Sequence, residues 1–551
     1  MTEPRPDLDL RAALQRFGVV VLVFAGLWCV PYAHPALEDW RYLGDIDASP
    51  LVRAVRLEPP PDPAATMPGG LGAGTAPGGE ELSDDELAAL DPGLGSGDAS
   101  PGSDAHGPES VAVAPSPDAG ALAEPVVQPD AGAVAADAHA VAPSTAEVPK
   151  TSTTPTAETP GDSGLPRALV FDPGLAPPAA AIEHPERIAP FFAALVALAK
   201  GERARVRVRH YGDSHLANDG ISHVLRVLLQ RRFGDGGHGF VIARSGSRWF
   251  KHKGVRIGSS DGWKSRAFIG GGFADGHYGF GGEASAGGPG QSAYVATAAK
   301  GQGTTATRVA LWWRAGKGAR LQVEVDGVRG ESIDAQGEES DRFATWEGLP
   351  DAGHKIRVRV ARGKVRLYGW VVERDRGLVW DSLGVVGARA RRWLSADAAH
   401  IAAQAARRDA QLLVLNYGAN SRNDKISGAK YAKTYAEVLA RLRPDKGEPC
   451  LVVGPGDHGK KQKGKVVSDP RTVQMVGWQR TIAEQLGCAF IDARAMMGGD
   501  GAMGRWVKQG LGWADYAHLT PRGQAQLGRD LYAALMHGLA GYLAGGAAGG
   551  R

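Results

Sequence analysis

The sequence predicts an α/β domain, a parallel sheet with helices on both faces, split by an inserted all-β domain of jelly-roll or sandwich type. Ahead of it lie a transmembrane helix and a disordered linker. Three observations carry this reading. Strand-like and helical runs alternate over residues 376–545. A period-two texture without helical pattern fills residues 241–375. One uncharged apolar run, Phe17 to Tyr32, is followed by a long stretch rich in Pro, Ala, Gly, Ser, Thr and Asp.

The apolar run FGVVVLVFAGLWCVPY follows Arg11 and Arg16. As a helix it spans roughly 24 Å, a little short of a hydrocarbon core of ~30 Å. Slight bilayer thinning, or the flanking Ala12 to Leu14, completes the crossing. The arginines place residues 1–16 in the cytoplasm and everything after residue 32 outside. A cleaved signal peptide is the competing reading. No small-x-small cleavage site follows, and Trp28 before Cys29 does not suit a lipoprotein site. An uncleaved single-pass anchor in the cytoplasmic membrane is therefore expected, with the rest of the chain in the periplasm or other extracytoplasmic space.

Residues 57–165 have almost no aromatic side chains and no sustained period, so they cannot bury enough apolar surface to offset their ordering entropy. They are expected to form a disordered tether, with a root-mean-square reach of roughly 55–60 Å. Residues 59–165 hold 17 acidic residues against a single basic one, Lys150. The chain is +3 overall, so this acidic stretch hides a globular part, residues 166–551, that carries +21. Such a field favours anionic partners. No zinc-finger spacing, RNA-binding signature or base-reading helix is present, so nucleic acid is not expected as a partner.

Three cysteines exclude a disulfide framework. Cys450 and Cys488 each open a short apolar run, CLVVGP and CAFIDA. If these are neighbouring parallel strands, the sulfurs can pair in an oxidising compartment. The alternative is two buried small apolar residues.

The first part of the α/β domain occupies 166–240. Val206 and Val208 alternate with arginines up to Tyr211-Gly212, as on a strand, and Ile221, Val224, Leu225, Leu228 and Leu229 then recur at helical spacing. Asp213-Ser214-His215 thus falls on a strand-to-helix turn. In the second part, GLVWDSLGVVGA, LLVLNYGANS, CLVVGPGDHG and CAFIDARAMM read as strands, each followed by a helical stretch. The last helix has Thr520 as N-cap and Pro521 at its first position. Sites in such sheets gather at the carboxyl ends of the strands. Within the all-β insert, LQVEVDGV, KIRVRVARG and KVRLYGWVVE alternate around Gly and Asp turns. Trp312, Trp313, Trp346, Tyr368 and Trp370 are candidates for a sugar-stacking face, with core packing as the plainer reading.

Acyl transfer through a side chain needs a hydroxyl, a base, a carboxylate that orients the base, and donors for the oxyanion. Ser214 supplies a hydroxyl. In the segment DYAH, Asp515 and His518 lie three residues apart, a spacing that lets the carboxylate accept from one ring nitrogen while the other faces Ser214.

With these residues in view, the chain resembles the SGNH (GDSL-like) hydrolase superfamily. The blocks are YGDSHLA at 211–217, DSLGVVGA at 381–388, NYGANS at 416–421 and DYAHLT at 515–520. The resemblance implies a flavodoxin-like sheet and the triad Ser214, Asp515 and His518. It also implies an oxyanion hole made by the Ser214 amide, the Gly387 amide and the Asn420 side chain, with Gly384 as the alternative glycine. Gly418 would then allow the turn that aims Asn420, and Asp213 would stabilise the serine turn. The glycine block lacks the asparagine usual before Gly387. The β insert, the GDSH variant and FGDGGHGF are similar to Ape1-type peptidoglycan O-acetylesterases. The function this implies is a serine O-acyl esterase removing acetyl groups from an envelope glycan, peptidoglycan first. An O-acetyltransferase acting on an envelope polysaccharide and a non-catalytic tethered glycan-binding protein are the rivals. The expected partners are an acetylated glycan and, through the anchor, the membrane; the protein is expected to be monomeric.

No metal or cofactor is expected. His238, His277 and His458 sit in Gly-rich loops without metal-ligand spacing and read as solvated. The run DHGKKQKGK at 457–465 reads as a solvated charged loop able to border the cleft, and FIGGGFADG at 268–276 as a turn.

Overall fold

The computed structural model describes residues 166–171, 177–270, 272–335 and 337–548. The expected anchor at 17–32 and linker at 57–165 lie outside the described residues. Among those described, no helix is long and apolar enough to cross a membrane.

The chain runs through α1 (Ala189–Ala199), β1 (Arg205–Gly212), the one-turn α2 (Ser214–Ala217) and α3 (Gly220–Phe233). Next come β2 (Gly237–Ile242), β3 (Val255–Ser259), β4 (Lys264–Ala267), β5 (Glu283–Gly287), β6 (Ser292–Thr297) and β7 (Arg308–Ala315). The insert continues through β8 (Arg320–Val325), β9 (Val328–Arg329), β10 (Ile333–Asp334), β11 (Ser340–Trp346), β12 (Lys355–Arg362) and β13 (Val365–Glu373). The α/β pattern resumes with β14 (Gly377–Gly384), α4 (Ala398–Arg408), β15 (Leu412–Asn416), α5 (Gly428–Leu442) and β16 (Cys450–Val453). The hairpin β17 (Gly459–Gln462) and β18 (Lys465–Ser468) precedes α6 (Pro470–Gln485) and β19 (Ala489–Ile491). Then come α7 (Ala493–Met496), α8 (Ala502–Lys508) and α9 (Pro521–Ala548).

The five-stranded sheet has the order β14-β1-β15-β16-β19, with every neighbouring pair parallel. Numbered along the chain this is 2-1-3-4-5, the flavodoxin-like order, whose ligand crevice opens where the order reverses beside β1. One face packs Val206, Val208, Trp380, Leu412 and Leu451 against α1, α3 and α9. Asp397, Ser427 and Asp469 cap α4, α5 and α6 through their side chains, and Thr520 Oγ1 accepts the Gly523 amide at the start of α9.

The insert forms two antiparallel sheets, β10-β8-β12-β6-β3 and β11-β7-β13-β5-β4, with β9 on β8 and β2 on β13. Val309, Leu311 and Trp313 of one sheet meet Val295, Leu321, Ile356 and Val358 of the other in a shared core. The antiparallel pairing starts at Gly237, earlier than the period-two texture suggested.

Alternation sends Trp312 the other way. With Phe240, Phe280 and Tyr368 it joins the second face of the parallel sheet, where Leu413, Leu415, Val438 and Met475 also pack. One core therefore fastens the insert to the α/β domain. This overturns the sugar-stacking face: Trp312, Trp313, Tyr368 and Trp370 are buried, and Trp346 packs against the core between the sheets.

Both faces of β1 are covered, and Arg207 and Arg209 lie inside the molecule. Arg207 pairs with Glu373 at 2.9 Å and Arg209 with Glu448. Cys450 and Cys488, for which two readings were open, form a disulfide between the neighbouring strands β16 and β19, with Cα atoms 4.8 Å apart.

The run 457–465 folds as the first strand and turn of the β17–β18 hairpin rather than as an irregular loop. Its lysines lie on the surface.

Candidate active site

β1 ends in Tyr211-Gly212, and the chain turns at once into α2. Asp213 caps that helix: its buried carboxylate accepts the His215 amide at 3.1 Å and faces His215 Nδ1 at 3.0 Å. Ser214 therefore occupies the first position of a helix at the carboxyl end of the parallel sheet.

The sheet brings its partners from the far end of the chain. Ser214 Oγ lies 3.4 Å from His518 Nε2, a separation of the kind that tightens when substrate binds. His518 Nδ1 lies 2.7 Å from Asp515 Oδ2. The other carboxylate oxygen of Asp515 accepts the amides of Ala517 and His518 at 2.9 and 3.0 Å. Burial alone would raise the Asp515 carboxyl, but the His518 bond and these two amides outweigh it and hold the group at about 2. Asp515 is thus a carboxylate across the range in which esters are hydrolysed enzymatically, and its charge favours the Nδ1–H tautomer that leaves Nε2 as base.

The two candidate glycines separate in the structure. At Gly384 a side chain would meet the backbone of Leu216 and Ala217 at 2.4–2.5 Å, so this glycine lets β14 approach α2. Gly387 is exposed, has φ of 76°, and has nothing within 4 Å of where its side chain would begin. Asn420 follows β15, and Gly418 before it has φ of 128°, a conformation open to glycine. Asn420 makes no capping bond to the short helix after it. Its Nδ2 donates to the Ala388 carbonyl at 3.1 Å, which fixes the amide against the Gly387 loop and leaves its second N–H unspent.

Ser214, Gly387, Asn420, Asp515 and His518 all line one cavity of about 320 Å³, a size suited to a small ligand or one sugar unit. Trp249 and Trp513 line it as well, and neither is marked by periodicity in the sequence. Trp249 comes from the loop after β2, which bonds to the serine region through Lys251 N to Ala217 O and Lys253 N to Asp219 Oδ2, both 2.9 Å. The insert thereby contributes to the cavity wall. Trp513 donates its amide to the His518 carbonyl. A tryptophan in a polar loop, outside any strand period, was the signal available for both.

The solvated reading of the histidines fails for two of the three. His238 and His458 are buried, and His277 is half-buried and stacked on His400 at 4.4 Å. Among the described residues, His277, Asp341 and His400 have ligand-type atoms within 4.8 Å of one another. His400 is already spent, with Nδ1 2.7 Å from Asp341 and Nε2 accepting the Gly279 amide at 2.9 Å. Asp341 also accepts from Arg314 and the Tyr368 hydroxyl. The cluster is a hydrogen-bonded seam rather than an open set of metal ligands.

Residues 346–526 match the GDSL-like Lipase/Acylhydrolase family, a range that contains Gly387, Asn420, Asp515 and His518 but not Ser214. Among solved structures, a peptidoglycan O-acetylesterase is similar at 23% identity, covering 64% of this chain and 96% of that one, with a TM-score of 0.55. A family two carbohydrate esterase from Clostridium thermocellum, in complex with cellohexaose, matches at 10% identity over 49% of this chain and 99% of that one (TM-score 0.22). An acetyl xylan esterase matches at 18% over 29% and 80% (TM-score 0.23). At scores of that size the last two carry no argument. No curated protein matches the chain. On the family match, residues 346–526 carry a GDSL-like lipase/acylhydrolase domain, which makes the chain a carboxylic ester hydrolase.

Proposed function

We propose that the protein is a serine esterase that removes O-acetyl groups from an envelope glycan, peptidoglycan first, using Ser214, His518 and Asp515. The observation that carries this is the unbroken chain from Ser214 Oγ to His518 Nε2 and from His518 Nδ1 to Asp515, opening on a cavity walled by two tryptophans. His518 takes the Ser214 proton as Oγ attacks the acetyl carbonyl, and the oxygen gains negative charge. The amides of Ser214 and Gly387 and the side chain of Asn420 stabilise that charge. His518 then gives its proton to the departing sugar oxygen. Water, deprotonated by the same imidazole, attacks the acetyl-serine, and acetate leaves as Ser214 recovers its proton.

Three features favour a glycan as substrate. Trp249 and Trp513 offer flat apolar faces to a sugar ring. The globular part carries +21, which suits an anionic matrix. A peptidoglycan O-acetylesterase shares the fold over nearly its whole length, which puts that glycan first. The proposed location is outside the cytoplasmic membrane, tethered through residues 17–32; the Cys450–Cys488 disulfide fits an oxidising compartment.

Acetate release from O-acetylated peptidoglycan, acetylated xylan and an aryl acetate tests the reading, with Ser214→Ala as control. Peptidoglycan is expected to be the best glycan substrate and Ser214→Ala to be inactive and unlabelled by a fluorophosphonate. Undiminished labelling of Ser214→Ala would remove Ser214 from the site.

A further inference from the structure

His215 stands beside the proposed nucleophile and has no part in the reaction as written above. Its ring is held at both ends: Nδ1 is 3.0 Å from Asp213 Oδ1 and Nε2 is 3.3 Å from the Ala517 carbonyl oxygen. A carboxylate and a carbonyl can only accept, and a neutral imidazole carries one N–H. Satisfying both partners therefore requires both nitrogens to be protonated. Ala517 immediately precedes His518, and the His215 ring stacks on that of His518 with centroids 5.7 Å apart and planes 21° apart. On another side it meets His458 at 6.0 Å, close to perpendicular.

We propose that His215 is a positioning residue, a doubly protonated imidazole whose two N–H groups tie the serine turn, at Asp213, to the loop carrying the base, at Ala517. The inference rests on the esterase reading above and adds a control element to the same site.

The charge balance around the ring is consistent with this. Burial opposes a charge on His215, but the Asp213 bond and charge, the Ala517 carbonyl and Asp515 together shift its pKa upward. Asp213 belongs to its own turn, Asp515 and His518 to the loop before α9, and His458 to the loop after β16, with Arg422 behind. His458 is driven well below its ordinary value, first by burial and then by Arg422 and His215, so it adds no second positive charge.

Two substitutions separate the tie from the charge. His215→Gln keeps a donor toward Ala517 but no charge. With the tie to the base loop kept, its kcat on an aryl acetate is expected to stay within about threefold of that of the unmutated protein. His215→Asn keeps a donor toward Asp213 and cannot reach Ala517. It should show a kcat lowered roughly tenfold at unchanged KM, as the base loop loses its anchor. An undiminished kcat in folded His215→Asn overturns the proposal. Imidazole ¹⁵N shifts of the unmutated protein at pH 7 give a reading that needs no variant to fold: both His215 nitrogens should be protonated, and a neutral tautomer also overturns it. Activity that survives Ser214→Ala would instead sink the esterase reading, leaving the His215 protonation state as a separate result.

Discussion

The carbonyl of Tyr516 accepts the amide of Gly459 at 2.8 Å, so the basic hairpin is bonded to the segment that carries Asp515 and His518. Tyr516 itself has φ of 55°, a left-handed conformation unfavourable for a side chain of its size. The Lys461 ammonium lies 5.6 Å from its ring. The hairpin thus braces a strained turn at the point where the carboxylate and imidazole must stay aligned.

A side chain at Gly459 would meet Val466 at 2.7 Å and Tyr516 Cβ at 2.9 Å. Gly459→Val is expected to push the hairpin off the Tyr516 turn and lower kcat about tenfold or more, since misplacement of ~1 Å costs at least that. Melting temperature should fall little, because the hairpin is peripheral to the cores. Steady-state kinetics with a thermal melt check this; unchanged kcat would show that the turn holds its shape unaided.

In the proposed mechanism, Asn420→Ala removes a donor to charge that develops in the transition state. A fall in kcat of about 10²–10³, or ~3–4 kcal/mol, with little change in KM is expected. The absence of a capping bond from Asn420 separates this from a folding effect. Loss of melting temperature with kcat per folded molecule retained would take Asn420 out of the oxyanion hole.

How much was legible beforehand follows from where each signal resides. Asp213-Ser214 and Asp515–His518 are local constellations at predictable turns, and short-range patterns place them. Choosing between Gly384 and Gly387 required knowing that α2 packs on β14, a contact between residues more than 160 apart in the chain. For Trp312 and Trp313 the strand pattern leaves both a sugar-stacking face and core packing open. Here the second face of their sheet is closed by the α/β domain, and alternation cannot report which layer covers it. The burial of Arg207 and Arg209 is hidden from the strand pattern for the same reason. Their partners, Glu373 and Glu448, lie 166 and 239 residues away.

Arg408 joins the two parts of the molecule by bonding Asp381 of β14 at 2.7 and 2.8 Å and Glu373 of β13 at 2.5 Å. Burial would raise the Glu373 carboxyl, but Arg408, followed by Arg207, holds it well below the usual carboxylate range. Such a group adds stability above its unfolded pKa of about 4.3, and that stability is lost as pH falls toward the folded value. Arg408→Met leaves two buried carboxylates short of a partner and is expected to cost ~3–5 kcal/mol at neutral pH. In the variant, acid neutralises those carboxylates and relieves the penalty. The gap to the unmutated protein should therefore narrow as pH falls from about 5 to 3. Urea unfolding across that range checks it; a gap that widens on acidification would mean the network is not held by charge.

Trp249 and Trp513 provide the sharpest test of whether the cavity recognises a sugar or only an ester. They reach it from different parts of the fold, one from the insert's first loop and one from the loop that ends in His518. Neither is in the proposed proton path. Trp249→Ala should therefore raise KM for acetylated glycan about tenfold, ~1.4 kcal/mol of lost stacking, while kcat/KM for a small aryl acetate changes little. Trp513→Ala should weaken glycan binding similarly, and because the backbone amide at this position still donates to the His518 carbonyl, kcat on the aryl acetate should hold. The asymmetry is the informative part. If Trp249→Ala depresses the two substrates equally, the insert shapes the pocket without reading the glycan. If only the glycan suffers, the insert supplies a substrate-binding surface at the mouth of the esterase, which explains why it is fastened there by a common core rather than hung on a linker.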